Sequence, residues 1–197
     1  MRPTKAVAAV SVAVAVLLTL STGPVAHAAQ VTVDDVTGDV RVISHHDAEH
    51  QQKLRTAPVD PAITDHDIIR TRFAHTRKQL VVTTKFRSLR GVRSMEASEL
   101  RIRVPKRVFS YSWMRAAHGV SHALVTGAGA DVACRVKVAT NRKRATRTIR
   151  IPRRCLGNPT WVRVASKAST ADADHLRVDN AHGKRAVGGM TKRLRVG

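Results

Sequence analysis

The sequence predicts an all-β protein, a single antiparallel β-sandwich held by one disulfide, with jelly-roll or immunoglobulin-like strand order left open. Three observations carry that prediction. Short period-2 runs rich in β-branched and aromatic residues recur along the chain, separated by Gly, Pro, Asp or Asn. No comparably long stretch keeps the i, i+3, i+4, i+7 apolar spacing of an amphipathic helix, so parallel βαβ units, which need crossover helices, are excluded. The 197 residues hold two cysteines, Cys134 and Cys155, so a bridge has one possible connectivity.

The chain opens on an export signal. Arg2 and Lys5 precede an apolar run from Ala6 to Leu20, followed by Ser21, Thr22, Gly23, Pro24 and Ala26-His27-Ala28, which sets cleavage after Ala28. That run is shorter than the roughly 20 residues needed to cross a bilayer. Residues 29–197 are therefore expected to form one secreted, soluble domain with no transmembrane anchor, in surroundings that favour the Cys134–Cys155 bridge.

Within that domain the expected strands begin with QVTV (30–33) and DVRVI (39–43), joined by DDVTGDV (34–40). A calcium loop of the EF-hand kind needs oxygen ligands at positions 1, 3 and 5, and this stretch offers Asp34, Asp35 and then nothing until Asp39. A tight turn is expected instead, with Gly38 at positive φ and aspartate side chains accepting backbone N–H groups. A cage drawn from Asp34, Asp39, Asp65 and Asp67 is the alternative. The turn is preferred, and no metal or other cofactor is expected.

One short helix fits in the polar segment 44–55. It contains HHDAEH (45–50), where Asp47 follows His46 and the Glu of H-E-x-x-H is absent, so a solvated segment is expected in place of a zinc site. Further strands are DIIRTRF (67–73), QLVVTTKF (79–86), ELRIRV (99–104), VFSYSW (108–113) and HALV (122–125). DVACRVKV (131–138), RTIRI (147–151), WVRVAS (161–166) and KRLRV (192–196) complete the set. Cys134, Val136 and Val138 share one parity, and Ile149, Ile151 and Cys155 another. Folding the two runs about NRKR (141–144) puts both cysteines on the apolar side, with Pro152 ending its strand. The Ala-, Asp- and Gly-rich segment 169–190 reads as a long loop before a final edge strand.

PRRCLGNPTWVRV (152–164), DDVTGDV, DIIRTRFAHTRKQLVVTTKFRSL (67–89) and an Asp-x-Asp-His segment before a basic C-terminus together resemble a family of small secreted β-rich proteins from GC-rich bacteria. The likeness spans most of residues 29–197 and is sharpest at the second cysteine followed by Leu-Gly-x-Pro-x-Trp-Val-Arg-Val. It implies a single disulfide-bonded β-sandwich and brings no activity with it. A looser likeness to sugar-binding sandwiches of the DOMON or family-9 carbohydrate-binding kind concerns the fold alone.

Charge is the most unusual feature. The formal net charge is +21. Residues 29–67 hold eight acids and three bases, whereas residues beyond Asp67 hold thirty bases and six acids. From Arg135 to Arg154 there are nine bases and no acid. Arg135, Lys137 and Arg150 are expected to face solvent on one sheet face, with Arg142, Lys143, Arg144 and Arg147 crowning a hairpin, as an anion-binding set. The partners this charge implies are anionic polysaccharide, teichoic acid or another extracellular polyanion, and binding that weakens with salt. Specific nucleic-acid recognition is not expected, because the basic run lacks interleaved aromatics for base stacking.

No G-x-S-x-G elbow or other nucleophile signature is present, so a non-catalytic monomer is expected. The alternative is a carbohydrate-binding module using the one-sided strip of Phe109, Tyr111 and Trp113, and behind it a small hydrolase or hydrolase inhibitor. With six aromatic residues in the chain, the core has first claim on that strip.

Overall fold

The computed structural model describes residues 29–48, 56–90, 95–182 and 189–197. In chain order the strands are β1 (Ala29–Asp34), β2 (Arg41–Ser44), β3 (Ile68–His75), β4 (Gln79–Phe86), β5 (Met95–Arg103) and β6 (Val108–Ala116). They continue as β7 (Gly119–Thr126), β8 (Lys137–Asn141), β9 (Thr146–Pro152), β10 (Trp161–Ala171), β11 (His175–Asn180) and β12 (Leu194–Arg195). A one-turn helix, α1 (His45–Ala48), follows β2, and a 3₁₀ turn (Arg153–Leu156) follows β9.

Two antiparallel sheets form a sandwich. The first has the order β1-β3-β4-β9-β8, and the second β2-β11-β10-β5-β6-β7, with β12 against the start of β10. Strict alternation explains why these segments became strands: Leu80, Val82, Thr84 and Phe86 of β4 point inward, while Val81, Thr83 and Lys85 point away. Phe73, Phe86, Ile149 and Ile151 of the first sheet share one core with Leu100, Ile102, Phe109, Tyr111, Val162 and Val164 of the second. Burying each such side chain stabilises the fold by about 1.5 to 3 kcal/mol relative to exposure. Phe109, Tyr111 and Trp113 all face this core, so β6 presents no aromatic strip to solvent.

The bridge is made between Cys134 and Cys155, whose Cα atoms lie 5.9 Å apart, and both cysteines pack against the main core. Pro152 is the last residue of β9. The D-x-x-G-D stretch is a turn: Gly38 has φ 80°, donates its N–H to Asp67 Oδ2 at 2.9 Å, and sits 3.4 Å from Pro61 by the position a Cβ would take. Asp35 Oδ1 accepts the Val36 N–H at 3.0 Å. The short helix falls at 45–48, with His46 exposed, while His50 lies outside the described residues.

Two expectations need correction. The segment 169–190 is not one loop: β10 runs on to Ala171 and turns back as β11, register Ala171↔Leu176 to Lys167↔Asn180. Its run of Ala, Ser and Thr looks loop-like, yet small side chains suit a strand at the centre of a sheet, where Ala168, Ser169, Thr170 and Ala171 are buried. Within 131–138 the ladder begins only at Lys137. The Val136 N–H donates to Cys134 O at 3.1 Å, a three-residue turn that takes the cysteine out of the strand.

Candidate functional site

The charged residues singled out from sequence divide into three groups. Arg135, Lys137, Lys143 and Arg144 are exposed, Arg142 and Arg150 are half-buried, and Arg147 is 1% exposed. Arg147 does not crown the hairpin. The turn closes by Ala145, so Arg147 lies inside β9 on the parity of Ile149 and Ile151, and its side chain crosses the core. Arg142 is likewise drawn inward.

Both reach Glu96, a fully buried residue of β5 that the charge pattern gave no reason to single out. Glu96 Oε2 accepts from Arg147 Nη2 at 2.7 Å and lies 2.9 Å from His66 Nε2, while Oε1 accepts from Arg142 Nη2 at 2.8 Å. Arg115 Nη1 stands 3.6 Å from Oε1. Arg147 also donates to Ser98 Oγ at 2.7 Å and Thr140 Oγ1 at 3.3 Å, and its guanidinium lies 4.0 Å over the Trp113 ring. Arg142 is further tied to the carbonyls of Leu89 and Arg90 at 3.2 and 2.9 Å. His66, at φ 61°, places Nδ1 3.3 Å from Asp65 Oδ2.

Burial by itself would raise the Glu96 pKa, but the His66 hydrogen bond and the charges of Arg147 and Arg142 outweigh it and hold the carboxyl at about 2. Glu96 is thus a carboxylate at any ordinary pH. It balances one of the three guanidiniums around it, and the surplus positive charge is turned toward solvent.

The surplus opens into a pocket of about 590 Å³ between the β6–β7 edge and the β8–β9 hairpin. Arg115, Arg142 and Lys143 supply its cations, Thr140 and Asn141 its neutral polar groups, and Val120 with Trp113 an apolar wall. Further cations stand on the outer face of the first sheet. There Arg70, Arg72, Lys85, Lys137 and Arg150 point away from the core, and Asp34 is the one acid among the strand residues of that face. Arg70 pairs with Asp34, and Arg72 donates to Gln30.

A second cluster gathers acids. The four aspartates considered for a cage do not assemble: Asp34 is held by Arg70, and Asp65 by the Arg90 N–H at 2.6 Å. Carboxylate oxygens of Asp35, Asp39 and Asp179 instead lie within 4.8 Å of one another, the last of these contributed by β11. Asp67 stands near Asp39 and is bonded to Arg87 Nη1 at 3.0 Å. Burial, then the charge of Asp67, raises the Asp39 pKa. Asp179 accepts the Ile68 N–H at 2.5 Å and the Asn180 N–H at 2.7 Å, yet burial together with Asp35 and Asp39 lifts it to about 8.

Asp179 therefore binds its proton more tightly folded than unfolded, and its contribution to stability is complete below pH 4 and drains away as pH rises toward 8. Asp39→Asn removes one of the repelling charges. It is expected to raise stability at pH 8 by about 1 kcal/mol with little effect at pH 5, as read by thermal melts at the two pH values; equal melting temperatures at pH 8 would contradict this account of the cluster.

No family model, curated protein or solved structure matches the chain.

Proposed function

We propose that this is a secreted, non-catalytic protein that adheres to extracellular or cell-envelope polyanions through its basic surface. The observation that carries the reading is the outer face of the first sheet, where Arg70, Arg72, Lys85, Lys137 and Arg150 stand with a single strand-borne acid, Asp34. A field of one sign over such an area raises the local concentration of an oppositely charged polymer and its rate of capture. The export signal and the disulfide support the extracellular setting. Among the described residues no helix is long and apolar enough to cross a membrane.

The test is retention of the protein on cell-wall fractions across a salt series. Binding is expected at 50 mM salt and release by 0.5 M, where the screening length is only about 4 Å. Retention that survives 0.5 M salt, or that is unchanged when Arg72 and Lys137 are both replaced by Gln, would sink the electrostatic reading.

A further inference from the structure

The pocket between the β6–β7 edge and the β8–β9 hairpin differs from the rest of the basic surface in one respect: two of its three cations, Arg142 and Arg115, are drawn to one fully buried carboxylate, Glu96. Arg142 is fixed at four points, by Glu96 Oε1, by the Leu89 and Arg90 carbonyls, and by its position in the hairpin turn. Arg115 is drawn toward the same Glu96 oxygen while remaining 51% exposed. Beneath them, Arg147 takes up the other Glu96 oxygen, so that oxygen is not available to neutralise the pocket. Lys137 and Arg144 on the open surface have no comparable scaffold, and an exposed cation on a flexible stem gains little from each contact because ordering it offsets the attraction.

We propose that this pocket is the selective subsite of the protein, and that it takes one tetrahedral oxyanion ester of the bound polymer, a phosphodiester or a sulfate ester. Three cations converging from two sides match an anion that offers oxygens in several directions. A carboxylate is planar and is satisfied by one guanidinium fork, so it would leave the remaining cations unused. Val120 and the Trp113 edge give the ester carbon an apolar wall, and Thr140 with Asn141 supplies neutral hydrogen bonds beside the charges. Glu96 acts here as a positioning residue, not a contact. The inference rests on the polyanion reading and adds to it the place and the chemistry of selection.

The test compares the intact protein with two double variants, Arg115→Gln/Lys143→Gln in the pocket and Arg72→Gln/Lys137→Gln on the sheet face, all checked for unchanged melting temperature. Binding is measured by calorimetry to a poly(glycerol phosphate), a dextran sulfate and a poly(glutamate) of matched length. The intact protein is expected to bind the phosphate or sulfate polymer at least tenfold more tightly than poly(glutamate), and which of the two is tighter identifies the ester.

The pocket variant is expected to lose that preference and to shallow the salt dependence by about 1.5 in slope, from two fewer counterions released. The sheet-face variant should weaken all three polymers alike, by about two- to threefold per residue. Equal binding of all three polymers by the intact protein, or equal losses from both variants, overturns the subsite while leaving general polyanion adhesion standing. No binding to any of the three at low salt removes the adhesion reading itself, and the subsite with it.

Discussion

Arg147→Ala is expected to destabilise the protein by about 3 to 5 kcal/mol, the range seen when one member of a buried ion pair is removed and the other is left without compensation. Glu96 would then keep Arg142 and His66 but lose its closest partner, and Ser98 and the Trp113 ring would lose a guanidinium that now spans the two sheets. Urea unfolding measures the effect. A double variant, Glu96→Leu with Arg147→Leu, is expected to lose less than Arg147→Ala alone, because two apolar side chains remove the charge and its partner together. If the double loss were the sum of the single losses, the ion pair would not be the source of the coupling.

Glu96 also sets an acid limit. Its carboxyl titrates at about 2 in the fold against 4.5 as its ordinary value, so it releases its proton more readily folded than unfolded. The stability this confers is complete above pH 4.5 and is lost as pH falls toward 2, roughly 3 kcal/mol in all. Glu96→Gln is expected to abolish that acid-side slope, at the price of lower stability at neutral pH.

Reduction of the Cys134–Cys155 bridge, or Cys155→Ser with Cys134→Ser, is expected to lower stability by about 3 kcal/mol, from a closed loop with a sequence separation of 21. In a domain of this size that corresponds to a fall in melting temperature of roughly 6 to 12 °C. The direction follows from where the cysteines sit. Cys134 belongs to an extended segment outside the ladder, and Cys155 to the 3₁₀ turn after β9, so without the covalent link few other bonds hold the segment from Asp131 to Val136 against the core. A melting temperature unchanged by reductant would mean that packing alone holds it.

The strand pattern was readable because one face of each sheet is apolar, and a period of two in Leu80, Val82, Phe86 or Leu100, Ile102 needs no tertiary information. Central strand β10 was cut short at Ser166, because position in the middle of a sheet buries small residues that carry no hydrophobic signal of their own. The ion cluster was within reach of the same parity rule. Arg147 shares parity with Ile149, and Glu96 and Ser98 share parity with Leu100 and Ile102, so each is a polar residue at an inward position. Charge density along the chain conceals the pair, because it carries no information on which face of a strand each arginine occupies. The meeting of Asp35 and Asp39 with Asp179 was beyond any local signal, since it depends on β2 lying beside β11.

Strand β10 lies between β5 on one edge and β11 with β12 on the other, although all three of β10, β11 and β12 come late in the chain. A chain that ends before Trp161 therefore leaves the β5 edge of the β5–β6–β7 meander without its partner strand. Such an edge recruits other chains. The arrival of β10 is the step that closes this edge, so a product shortened before Trp161 carries a template for aggregation that the full chain covers.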